Sequence, residues 1–174
     1  MPHLHLSIQA GDDLILKRMR RRHTRASALA VARRARELRP DIVLGADVIA
    51  GFPTEDDTMA ERSLGFVEDA GLDLLHVFPF SPRPGTPASR MPQVPKPVIR
   101  ERAARLRETG NVARRRALGR FVGRSASVLV ERPGFGRSEH YLPVTLSADT
   151  IEGDIRAVTI ATATDDGLVA EGAR

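Results

Sequence analysis

His3 and His5 stand two residues apart in a segment that alternates polar and apolar side chains. On a strand that spacing presents both imidazoles to one face, where they can share a cation, and Asp47 and His76 are available as further ligands. The chemistry such a set would serve is that of a barrel metallohydrolase using His3 and His5. His3 stands at the very start of the sequence and no third histidine follows at a convincing strand end, so this reading ranks last and no metal is expected. Among its 174 residues the chain has no cysteine. That excludes disulfides, thiolate zinc sites, thiol nucleophiles and cysteine-held iron–sulfur clusters. Gly134-Phe135-Gly136 hints at a dinucleotide loop, but Glu139 stands where the third glycine belongs, and the segment lies between strands of a β-rich region.

The elements that would position such residues follow from periodicity. His3 to Gln9 alternates as a strand, with Leu4, Leu6 and Ile8 on one face and His3, His5, Ser7 and Gln9 on the other. A helix is expected over Asp12–Arg22, and a second over Arg25–Leu38, capped by Thr24 and ended by Pro40. Ile42–Ile49 reads as a strand buried on both sides. After the turn at Gly51-Phe52-Pro53-Thr54, Thr54 and Asp57 are spaced as a capping box for a helix over Glu55–Ala70, with Gly71 as its C-terminal glycine. Leu74–Phe78 is a third strand. The β-α-β-α-β alternation implies parallel strands with crossover helices. Five polar side chains (His5, Ser7, Gln9, Asp47 and His76) lie in those strands, and strand ends of parallel sheets are where α/β enzymes keep their sites. Three parallel strands do not close a barrel. The expectation is therefore the last part of a larger α/β fold, with its front missing.

Six prolines mark residues 80–97 as a loop, and Val98–Arg116 reads as a basic helix. From Gly119 the texture turns β-rich. Strands are expected at Arg120–Glu131, Ser138–Leu146, Ile155–Thr164 and Leu168–Glu171, with turns at Pro133-Gly134, Glu152-Gly153 and Asp166-Gly167. Short strands at that spacing suggest a small OB-like barrel, a fold that commonly binds nucleic acid. The expected domains are residues 1–117 and residues 118–174.

Charge is laid out in blocks. The net charge is +5, but Leu14–Pro40 carries +9, Asp41–Pro82 carries −8, Arg83–Arg124 carries +10 and Ser125–Arg174 carries −4. Two separated positive blocks point to an anionic polymer, and solvated helix faces are the bland alternative. Of the 27 basic residues 25 are arginine; GC-rich coding accounts for that ratio as readily as phosphate contact does. No apolar run reaches the roughly 20 residues of a membrane helix, and no secretory signal precedes the first strand. A cytoplasmic location and no membrane partner are expected.

Several motifs carry a resemblance. They are His3-Leu-His-Leu-Ser-Ile-Gln-Ala-Gly11, Leu16-Lys-Arg-Met-Arg-Arg-Arg-His-Thr24, Asp47-Val-Ile-Ala-Gly-Phe-Pro-Thr-Glu55 and His76-Val-Phe-Pro-Phe-Ser-Pro-Arg-Pro-Gly-Thr-Pro-Ala88. In order, they resemble the radical S-adenosylmethionine tRNA methylthiotransferases of the MiaB and MtaB type. The last looks most like the MtaB branch, which modifies N6-threonylcarbamoyladenosine beside the anticodon. Val128-Leu-Val-Glu131 with Gly136-Arg-Ser-Glu-His-Tyr-Leu-Pro-Val144 resembles the TRAM domain that ends these enzymes. Departures exist: His23 and Phe80 stand where the family has tyrosine, and Thr54 where glycine is frequent.

The resemblance implies the carboxyl-terminal part of a radical S-adenosylmethionine partial (β/α) barrel, then a TRAM barrel. It implies that Ser7, Gln9, Asp47, Ile49, Gly51, Pro53 and Glu55 line an S-adenosylmethionine site. Arg21, at the pattern's arginine position, would pair with the cofactor's carboxylate. Close approach of the cofactor to the Gly51 and Pro53 backbone is expected. For RNA the expected contacts are Arg114, Arg115, Arg116, Arg124, Arg132 and Arg137, with Tyr141 for stacking, and the implied partner is the tRNA anticodon stem-loop. The family uses two 4Fe-4S clusters, one on a CxxxCxxC motif, and this chain has no ligand for either. The expectation is a chain inactive by itself: a truncated product, an excised fragment, or a split chain completed by a separate amino-terminal portion. An RNA-binding relic or accessory protein is the alternative.

Overall fold

A computed structural model describes residues 1–173. Strand β1 (His3–Gln9) is followed by α1 (Asp13–Arg18), α2 (Arg25–Leu38), β2 (Val43–Ala50), α3 (Asp57–Asp69) and β3 (Leu74–Pro79). A short 3-10 turn at Pro87–Arg90 precedes the long helix α4 (Lys96–Gly119). The rest is β4 (Ser125–Arg132), β5 (Phe135–Ser138), β6 (Pro143–Thr145), β7 (Ile155–Ala163) and β8 (Leu168–Ala170). The protein is thus mixed α/β. Strands β1-β2-β3 form an open sheet with β2 and β3 parallel, and β4-β5-β6-β8-β7 form a closed barrel. Among the described residues no helix is long and apolar enough to cross a membrane.

Two compact units emerge. One holds residues 4–40 and 44–113; the other holds residues 1–3, 41–43 and the described residues from 114 onward. In the first, β2 is the central strand, and Leu44, Ala46, Val48 and Ala50 are essentially inaccessible, as a strand covered by helices requires. Phe66 and Val67 of α3, Ile15 and Leu16 of α1, and Leu72 complete its core. Asp73 locks the α3–β3 corner by accepting the Leu44 amide at 2.8 Å and an Arg36 guanidinium N–H at 3.1 Å. In the second unit β4 alternates inward Ala126, Val128 and Val130 with outward neighbours. Gly136 faces β4 so closely that a Cβ would lie 2.3 Å from the Leu129 carbonyl oxygen. Only glycine fits there.

Several expected boundaries move, each for a local reason. The helix over Asp12–Arg22 is six residues, Asp13–Arg18, because Arg20 adopts φ +57°. Asp12 lies outside it as the N-cap and accepts from the Leu14 and Ile15 amides. The cap of α3 is Asp56, whose carboxylate accepts the Met59 amide at 2.8 Å. Thr54 and Asp57 form no capping box, for Thr54 sits in the turn at φ +69°. Of the single strand expected over Ser138–Leu146 only Ser138, the last residue of β5, and Pro143–Thr145 of β6 are strand, and the turn where Tyr141 takes φ +64° separates them.

Candidate functional site

The turn after β2 is held by its own glutamate. Glu55 is 8% exposed, and its Oε2 accepts the Gly51 amide at 2.6 Å and the Phe52 amide at 3.0 Å. Burial raises its pKa above the ordinary 4.5, a push that the Arg102 charge and the two amides oppose and do not cancel. Arg102, itself buried, comes from α4 and donates to the Glu55 carbonyl at 2.9 Å and to Asp57 Oδ1 at 2.6 Å. Gly51 has φ +72°, and a Cβ there would fall 2.6 Å from Cγ1 of Ile99. The room glycine leaves on that side is therefore filled by α4. Phe52 meets Phe80 edge to face, and the Thr54 amide donates to the Pro92 carbonyl at 3.1 Å. The proline-rich loop is thus tied onto the turn.

Beside the turn lies one face of the sheet. His5, Asp47 and His76 come from β1, β2 and β3, and Asp47 pairs in register with His76. Asp47 Oδ1 is 2.8 Å from His5 Nε2 and 3.4 Å from His76 Nδ1. His5 and His76 are exposed and Asp47 is half-buried. Ser7 is exposed, Ile49 is half-buried, and Gly51 and Pro53 are buried in the turn. Gln9 ends β1 at φ +71° and is buried.

His3 does not join His5 and Asp47, so the histidine pair expected to share a cation is split. The His3 ring stacks instead on Tyr141, with centroids 5.2 Å apart. Arg21 is exposed beyond the end of α1; the arginine of that segment that reaches the turn is Arg18, donating to the Thr54 carbonyl at 3.3 Å. His23 meets the Ile8 carbonyl at 3.0 Å and so serves the rim of β1. A shallow cleft of about 170 Å³ lies there, lined by Ser7, Ile8, His23, Ser27 and Ala28 among others. That is below the roughly 300–1,000 Å³ of a small-molecule pocket.

The basic residues divide. Arg114 donates to the carbonyls of Asp165 and Asp166, fixing the β7–β8 turn. Arg115 lies 3.9 Å from Asp165, while Arg116 and Arg124 are exposed. Arg132 lies over the Phe135 ring at 5.1 Å. Arg137 pairs with Glu131 at 2.9 Å and lies over Tyr141 at 4.6 Å. Tyr141 is 47% exposed and is not a core residue. Sequence reasoning missed Arg102 and Ile99 as supports of the turn. Their i, i+3 spacing on a helix was the available signal, but nothing local told which element that face meets.

Comparisons with known proteins bear on this geometry. Residues 1–67 match the family model of the radical SAM superfamily. The chain is 45% identical over 155 residues to a threonylcarbamoyladenosine tRNA methylthiotransferase MtaB of Rickettsia prowazekii, covering 89% of this chain and 37% of that protein. It is 39% identical to the tRNA-2-methylthio-N(6)-dimethylallyladenosine synthases of Zymomonas mobilis and Erythrobacter litoralis, covering 92% and 98% of this chain and 38% and 40% of theirs. The chain therefore spans well under half the length of the relatives it matches.

Proposed function

We propose that this chain, a member of the radical S-adenosylmethionine tRNA methylthiotransferase family, supplies the cofactor-cradling strands and the RNA-binding barrel of an enzyme that methylthiolates N6-threonylcarbamoyladenosine beside the tRNA anticodon. The observation that carries the reading is the match to the Rickettsia MtaB over 89% of the chain. The three-stranded sheet is then part of a partial (β/α) barrel, and the five-stranded barrel is a TRAM domain. The division proposed is residues 1–117 and 118–174, in a cytoplasmic protein acting on tRNA.

The 4Fe-4S clusters of the family do not fit these residues, because the chain has no thiolate. The 174 residues are inactive unless another segment or chain provides the cysteines. S-Adenosylmethionine fits better. Ser7 is exposed and Ile49 half-buried beside the turn, and Arg21 is exposed, so their side chains are available to a ligand. Gln9, Gly51, Pro53 and Glu55 are buried, and their part is to shape the strand ends. When bound, the cofactor supplies the methyl group and the radical chemistry. Arg116 and Arg124 would hold phosphates, with Tyr141 and its Arg137 offering a stacking surface.

A chimera tests this. The Rickettsia sequence preceding the matched segment is joined to this chain and expressed in cells lacking the modification. Methylthiolated threonylcarbamoyladenosine in digested tRNA is expected, with loss when Ser7 and Arg21 are both replaced by alanine. An unmodified tRNA pool beside an active intact Rickettsia enzyme counts against the reading.

A further inference from the structure

We propose that His5, Asp47 and His76 form a binding site for a divalent first-row transition cation, for which Zn²⁺ is the reference ion. Each of three hydrogen-bonded strands contributes one donor, and β2–β3 register places Asp47 beside His76. One donor atom from each residue lies within 4.8 Å of the other two. A cation bonded at about 2.0–2.2 Å to imidazole nitrogen and carboxylate oxygen sets neighbouring donors roughly 3–3.5 Å apart. The separations from Asp47 Oδ1, 2.8 Å to His5 and 3.4 Å to His76, are within a few tenths of an ångström of that. Closing the third requires only a turn of His76, whose side chain is 62% exposed.

The donor types narrow the cation. Two imidazoles with one carboxylate suit zinc, iron(II), cobalt or nickel rather than the all-oxygen coordination of calcium or magnesium. Three protein ligands leave coordination positions for water or a substrate atom. Without a cation, one Asp47 oxygen faces both imidazoles. A cation takes the place of the hydrogen between each imidazole and the carboxylate, with the ring N–H moved to the nitrogen that faces away. The site does not use His3 and does not depend on the cofactor reading, although Asp47 belongs to both.

The test uses the full chain, stripped with chelator, without S-adenosylmethionine. Zn²⁺ is titrated by calorimetry and Co²⁺ by its visible absorbance. One ion per chain is expected, with at least a tenfold loss of affinity for His76→Ala and for Asp47→Asn, and no change for His23→Gln. His76 is exposed, so His76→Ala retains the fold, as circular dichroism will verify. Absence of saturable binding, or binding indifferent to both His76→Ala and Asp47→Asn, overturns the site. A failed chimera leaves this result untouched, and a failed titration leaves the chimera untouched.

Discussion

Glu55 and Asp12 are both buried carboxylates bound to backbone amides, yet they respond to pH in opposite directions. For Glu55 burial wins and the pKa is raised from 4.5. The folded state then holds its proton to higher pH than the unfolded chain, so this group's contribution to stability falls as pH rises above 4.5 through the folded value. For Asp12 burial also pushes upward, but the Arg62 hydrogen bond, the Ile15 and Leu14 amides and the Arg62 charge outweigh it and the pKa is lowered from 3.8. Its contribution is present above 3.8 and lost as pH falls through the folded value. Urea midpoints between pH 4 and 8 should therefore flatten in Glu55→Gln relative to the unmodified chain, and an unchanged slope would contradict the assignment. Glu55→Ala leaves two buried amides without an acceptor and should cost about 2–4 kcal/mol. Thr54 offers the opposite sign. A β-branched residue at φ +69° is strained by roughly 1–2 kcal/mol, part of which glycine's greater unfolded entropy offsets. Thr54→Gly should raise stability by up to about 1 kcal/mol, read as a higher urea midpoint. The strand positions of Asp47 and His76 were legible from alternation and run length. Both are available to sequence reasoning as further ligands beside His3 and His5; that His5 alone of that pair meets them was not legible, because register between strands is a long-range property.

At the scale of elements, the charge blocks acquire a structural cause. Acidic residues of the negative block lie between basic helices on either side in sequence. Asp69 and Asp73 pair with Arg25 and Arg36 of α2, and Asp57 and Glu61 pair with Arg102 and Arg105 of α4. Part of the pattern that suggested a polymeric anion is thus internal pairing. The helices themselves were legible wherever a cap and a periodic face coincided, as at Thr24 for α2, whose capping box is present. The start of α3 was not, since Thr54, Asp56 and Asp57 are all plausible N-terminal residues and the Glu55 grip on the turn decides among them. Asp56→Ala should cost about 1 kcal/mol, the usual value of an N-cap, while Asp56→Asn, which keeps an oxygen to accept the Met59 amide, should cost much less. Equal losses in urea unfolding would argue that α3 begins elsewhere.

For the whole molecule, two expectations follow from what the chain contains. Anaerobic reconstitution with iron and sulfide should leave no absorbance near the iron–sulfur bands, since no thiolate is present; a stable cluster would require a ligand set outside the family's. If residues 98–141 carry the RNA surface, tRNA affinity should fall steeply with salt, and Arg116→Ala with Arg124→Ala should each reduce the logarithmic slope by about one counterion. A slope unmoved by both would place the RNA elsewhere. A parallel sheet followed by a small β-barrel was legible because periodicity changes from helix-and-strand alternation to short strands near Gly119. The strand order that closes the barrel was not, for it depends on a parallel pair, β6 with β8, that no local pattern announces.

That pairing has a consequence for synthesis. β8 bonds to β6 on one side and β7 on the other, so the ring stays open until Leu168–Ala170 has left the ribosome. At about 5–20 residues per second the β4–β5 hairpin waits on the order of two to six seconds with its eventual neighbours unmade. During that interval Leu129 and Ile155, a cross-strand pair exposed even in the finished fold, sit on strands whose edges are unsatisfied. The nascent chain is then a client for holding chaperones, and slow codons between β7 and β8 would lengthen its exposure.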